Sequence, residues 1–217
     1  MNWINTAAGW MPEFLDGFLV TLKLVGMCLP AALVLGMALV LARISKQPAV
    51  WVPSYALIEF LRNVPTFLLI LVAYYGAPLL GSRLDGIYCG AIAIAVQHTA
   101  YLAEVFRGGV SAVPQTQWDA GRAIGLMPVS VFYRVVLPQA VLKVIPAIGN
   151  QVVVLIKDTS LVAGIGVVDL TLTGKLVMER TAASYEVFVV VALFYLVLTT
   201  LASGLFRLLE VPAGKRR

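Results

Sequence analysis

From Phe18 to Ala42 the chain carries one charged residue, Lys23. That run is longer than the roughly 20 apolar residues one helix needs to cross a bilayer. In hydrocarbon such a segment satisfies its own N–H and C=O groups only as a helix. It does not look like a secretory signal peptide, because the preceding residues bring Glu13 and Asp16 and no Lys or Arg. The rest of the chain has the same character. Of its 217 residues, 60% are hydrophobic and 12% charged, and mean hydropathy is +0.92. Soluble domains carry about 25% charge, so this chain has too few charges to coat a water-facing surface. Disordered, collagen-like and disulfide-scaffold chains are excluded on the same grounds. The expected fold class is all-α: an integral membrane protein, residues 1–217 forming one transmembrane domain with no room for a large soluble one.

Four further spans are expected: Tyr55–Leu80, Ile87–Val105, a fourth after Pro138 that is apolar over Val144–Ile156, and Val187–Phe206. Basic residues decide the orientation. Arg43 and Lys46, then Arg107, Arg122, Arg134 and Lys143, then Arg207, Lys215, Arg216 and Arg217 fall on one side, and together hold most of the 16 basic residues. The positive-inside rule puts that side in the cytoplasm, with the N-terminus outside and the basic tail 207–217 inside. The tryptophans Trp3, Trp10, Trp51 and Trp118 all fall near proposed interfaces, as an aromatic belt requires. In the outer tail 1–16, Trp3, Ala7, Trp10 and Phe14 recur at helical spacing. They suggest a short helix lying in the outer headgroup layer, or else a frayed tail. Cys28 and Cys89 lie in apolar context and read as packing residues.

The segment 107–138 is long for a connection, and loops of that length are usually functional or folded. Its punctuation predicts two short helices. Pro114 suits a first turn, Gln115–Ile124 is helix-forming, and Gly125 can take the left-handed position that ends it. Pro128 can begin a second helix, Val129–Val136, and Pro138 should stop it at Leu137. The product is either a knob shaped to touch another protein or a solvated hairpin.

The order Asp119-Ala120-Gly121, three residues, Gly125, nine residues, Val135, one residue, Leu137-Pro138 resembles the EAA loop of ABC importer permeases. That loop has Glu, Ala and Ile where this chain has Asp119, Gly121 and Val135. Tyr55–Pro65 (YALIEFLRNVP), Ala100–Gly109 (AYLAEVFRGG), Leu137–Ala140 (LPQA) and Gly149–Leu161 (GNQVVVLIKDTSL) are similar to the polar amino-acid branch, the histidine, glutamate and glutamine importer type. The resemblance implies a five-helix permease in the bacterial inner membrane, a cytoplasmic ATP-binding dimer that grips the loop, a second permease copy or paralogue, a periplasmic solute-binding protein and an amino-acid substrate. It implies no nucleic-acid partner. ATP and Mg would be bound by the partner ATPase. The chain itself has no Gly-x4-Gly-Lys-Ser/Thr, since Gly174-Lys175 and Gly214-Lys215 lack both the upstream glycine and the following hydroxyl. Asp119, Ala120, Gly121, Gly125, Leu137 and Pro138 are therefore the expected coupling residues.

Polar groups inside a membrane are expensive and default to functional candidates. Gln97, Tyr101 and Glu104 share one face of the third span. Glu104 is suited to a substrate ammonium or to a basic neighbour. Val144–Ile156 is only about 20 Å long as a helix, so Lys157-Asp158-Thr159-Ser160 falls within the membrane. A helix break there would suit a zwitterionic amino acid, Lys157 meeting its carboxylate and Asp158 its ammonium; alternatively the two charges only hold the broken helix together. His98, the only histidine, reads as a packed or interface residue. Glu59 and Arg62 read as an i,i+3 pair, and Pro65 permits a kink. A secondary transporter, a structural membrane subunit and an intramembrane enzyme are the competing classes. HExxH and GxSxG motifs are absent from the sequence.

Overall fold

The computed structural model describes residues 3–210. Among these residues there are helices and no strands. The expected basic tail 207–217 lies, beyond Glu210, outside the described residues.

Helix α1 (Trp3–Arg43) is one continuous 41-residue helix. The separate headgroup helix expected near the N-terminus is therefore corrected. Trp10 and Phe14 are not laid on a surface but buried against Leu170, Val177 and Val187. Their spacing marked the inner face of an elongated span, and protein rather than lipid covers it.

Helices α2 (Pro48–Asn63) and α3 (Thr66–Gly76) stand where a single second span was expected, and their axes differ by 102°. Pro65 lacks an N–H, and its ring disfavours helical geometry at Val64, which takes φ −90° and ψ 132°. The expected kink is a full break. Helix α4 (Gly86–Ser111) is the most enclosed span and packs on α1, α2, α3 and α7. Four helices are long and apolar enough to cross a membrane, and the bent α2–α3 pair makes a fifth if it counts as one span.

Helix α5 (Gln115–Ala123) ends as the glycine predicted. Gly125 has φ +80°, its N–H donates to Arg122 O at 2.9 Å, and Leu126 N–H donates to Gly121 O at 3.2 Å. These are the two bonds of a Schellman cap. The expected stop at Pro138 does not occur. Helix α6 (Pro128–Val131) passes through a π-helical turn, Phe132–Val136, straight into α7 (Leu137–Asp158). The proline ring would clash with a carbonyl four residues back. A π turn bonds five residues back instead, so the helix widens around Pro138 rather than ending.

The helix break expected at 157–160 is likewise corrected. After Asp158 the backbone tightens into a 3-10 helix, Thr159–Ile165, so the chain stays helical. Helix α8 (Leu170–Thr181) was not anticipated. Asp169 caps it, accepting from Leu172 N–H at 2.9 Å. Burial pushes the Asp169 carboxyl above the usual carboxylate range, opposed by that bond and by bonds from Thr171 and Tyr195. Helix α9 (Ser184–Leu209) closes the bundle against α7 and α8. Cys28 and Cys89 are buried and unbridged.

Candidate functional site

Two places combine polar chemistry with a structural reason to be there: the knob at one end of the bundle, and a buried node where α3, α4 and α7 meet.

The knob is built on a small apolar cluster. Val131, Val136, Ala140 and Val113 are buried, with Trp118, Leu126 and Phe132 packed around them. Gly121 is the point of closest approach. A Cβ there would lie 2.9 Å from both methyls of Val131. The residue that weakens helix propensity by up to about 1 kcal/mol is thus what lets α5 seat on α6. Gln139 Nε2 donates to Gln117 Oε1 at 3.2 Å, a second tie from α5 to the start of α7. Asp119 and Ala120 are exposed, and Asp119 meets only Gln115 Nε2 at 3.4 Å and Arg122 at 3.7 Å. Around them the knob exposes large apolar side chains, Ile124 at 76% and Met127 at 71%. Exposed apolar patches of this kind are characteristic of protein or membrane contact sites.

At the buried node, His98 is fully enclosed, and its Nε2 lies 3.1 Å from Asp158 Oδ2. With Asp158 ionised, Nε2 carries the hydrogen and donates it. Thr66 Oγ1, at the first residue of α3, donates to the same oxygen at 3.4 Å. One carboxylate therefore ties the end of α7 to α4 and to the bend between α2 and α3. Sequence reasoning placed His98 correctly as a packed residue but missed its partner. A lone histidine and a carboxylate in separate apolar spans have few other partners to choose from, and that was the available signal.

The other polar residues are distributed as follows. Gln97 is buried, and its amide donates to Leu61 O at 3.1 Å and Val64 O at 2.7 Å. Leu61 O is the carbonyl left without its helical partner by Pro65. Tyr101 OH donates to Arg62 O at 3.2 Å. Both side chains thus cap the broken end of α2. Glu104 lies a further turn along α4 and pairs with Arg107 at 2.8 Å and Arg43 at 3.8 Å. Arg43 in turn lies over the Tyr55 ring, 4.7 Å from its centroid. Glu59 and Arg62 pair at 3.3 Å, as their spacing implied. Lys157 is exposed. Thr159 is buried and its hydroxyl donates to Ile156 O at 2.7 Å, while Ser160 Oγ donates to Lys157 O at 2.7 Å. No group of three His, Cys, Asp or Glu side chains among the described residues could hold a metal ion.

These features define a class: a multi-pass helical membrane protein with an exposed knob joined to its core. Residues 35–211 match the family of binding-protein-dependent transport system inner membrane components, and the chain belongs to that family. It is 37% identical over 187 residues to the probable glutamine ABC transporter permease GlnM of Bacillus subtilis, covering 86% of each chain. It is 33% identical to the arginine ABC transporter permease ArtQ of Escherichia coli K12, over 85% of this chain and 89% of that one. A crystal structure of an amino acid ABC transporter with histidines superposes with TM-score 0.91 at 28% identity, covering 97% of this chain and 98% of that one. The protein is thus the inner-membrane permease subunit of such a transporter, and ATP hydrolysis belongs to a separate subunit.

Proposed function

We propose that this chain is the permease subunit of an ATP-driven importer for a polar amino acid, with its N-terminus outside and its C-terminus in the cytoplasm. One observation carries the mechanism. The knob is continuous with the polar node, because α6, the π turn and α7 form one uninterrupted helical path from Pro128 to Asp158. A push on α5 reaches Val131 through Gly121 and travels along that path to the carboxylate that ties α3 and α4 together. The proposed partners are a cytoplasmic ATP-binding dimer on the knob, which binds ATP and Mg, a second permease subunit, and a periplasmic solute-binding protein. The names of the relatives support a polar amino acid as substrate. The proposed pathway face is that of Lys157, Asp158 and Ser160. Thr159 is buried behind it, and Gln97 and Tyr101 hold the broken end of α2 that leads to Thr66.

The direct test is uptake of a labelled amino-acid panel by proteoliposomes that hold the complete transporter. Concentrative, ATP-dependent uptake of polar amino acids is expected, and its absence across the panel would sink the reading. Two variants separate the parts. Asp119→Lys reverses a charge at an exposed knob position and should weaken ATPase association about fivefold, at about 1 kcal/mol per surface charge contact, read by co-purification. Unchanged association would remove Asp119 from the docking surface. Asp158→Asn should lower uptake about fivefold while the ATPase stays bound. Normal uptake would reduce Asp158 to a structural tie.

A further inference from the structure

A cavity of about 650 Å³ opens between the second half of α1, the end of α4 and the start of α7. Met37, Leu41 and Ile44 form one wall, and Val110, Tyr133 and Val141 the other. The only polar atom on a lining side chain is the Tyr133 hydroxyl. On α4 the groove takes Phe106 and Val110, on the side opposite Gln97, Tyr101 and Glu104.

The groove's length and charge both limit what can fill it. Along α1 it runs from Leu33 to Ile44, about 17 Å at 1.5 Å per residue. That is close to one leaflet of a hydrocarbon core about 30 Å thick. A single file of methylenes fits. The mouth of the groove is at the end of the bundle that carries α5, where α1 ends and α7 begins. Lys46 follows Ile44 by two residues and Arg134 is next to Tyr133. Both are exposed, and neither has an ion-pair partner among the described residues. The other cations near the mouth are engaged: Arg43 and Arg107 at Glu104, and Lys143 at Ala112 O.

We propose that this groove binds an anionic phospholipid of the leaflet on the α5 side, one acyl chain lying along α1 and the phosphate held between Lys46 and Arg134. The bound chain lies against Phe132, Tyr133 and Leu137, the turn that joins the knob to α7. The lipid is thus a wedge beside the element through which the knob moves the core. The inference depends on the membrane spans and not on the transported substrate.

The test uses the complete transporter in neutral detergent, with phosphatidylglycerol and phosphatidylcholine as probes and lipid retention read by native mass spectrometry. Two basic groups at about fivefold each should favour phosphatidylglycerol roughly 30-fold. Lys46→Gln with Arg134→Gln should bring the two lipids to parity. Val141→Trp, at an exposed groove position, should displace the lipid and abolish the preference. All three changes are at exposed residues, so the fold is expected to survive them. Equal retention of both lipids, or a preference unmoved by either variant, overturns the proposal. If Val141→Trp instead splits the complex, the groove is a contact with a second subunit and the proposal fails.

Discussion

Gly109→Val is expected to lower the thermal midpoint of the purified transporter by roughly 6–12 °C. Gly109 is buried where α4 crosses the start of α7. A Cβ there would overlap Val144 Cγ1 and come 3.1 Å from the carbonyl oxygen of Ala140. Val144 can rotate away, but the carbonyl belongs to a helix and cannot. The two helices must separate, and overpacking of this kind costs about 1–3 kcal/mol. The upper end applies, since valine brings two methyls beyond the Cβ. A compensated pair checks the cause. Gly109→Ala with Val144→Ala returns the space and should recover most of the loss. A Gly109→Val protein that melts with the wild type would show that α4 and α7 are not in contact there.

His98→Leu is the second large effect. Leucine keeps the apolar packing of the site but removes the hydrogen-bond donor 3.1 Å from Asp158. The Asp158 carboxylate, with 23% of its side chain exposed, is left with Thr66 at 3.4 Å. Leaving a partly buried charged acceptor short of a partner costs about 1–3 kcal/mol. A midpoint drop of several degrees is expected, and His98→Gln, which restores an N–H, should recover part of it. The double variant with Asp158→Asn should lose less than the two single losses added together, because contacting residues couple by about 0.5–3 kcal/mol. Strict additivity would mean that the two side chains do not interact.

The π turn and the Gln97 bonds explain each other's place in the fold. In both cases a proline removes a helical hydrogen bond. At Pro65 the chain breaks, and the freed Leu61 carbonyl is taken by Gln97 from α4. At Pro138 the chain stays helical, because the π turn moves the bonding one residue further back. The same residue type produced opposite outcomes. Only Pro65 had a donor waiting on a neighbouring helix, and only Pro138 had a turn to widen.

The rough position of the apolar spans, the knob and its glycine cap were legible in the sequence. Each depends on interactions within a few residues: a helix satisfying its own backbone, Pro114 at the N-cap of α5 and Pro128 in the first turn of α6, Gly125 at positive φ. The family was legible for a related reason, since the order Asp119…Gly125…Leu137-Pro138 describes one local object. What Trp10 and Phe14 pack against, whether a proline bends or breaks its helix, the α8 segment, and the meeting of His98 with Asp158 were decided by tertiary structure. An apolar face reads the same whether lipid or another helix covers it. A polar side chain within a span shows that it needs a partner, but the partner lies on a helix distant in sequence, and only the packing of α3, α4 and α7 brings it within reach.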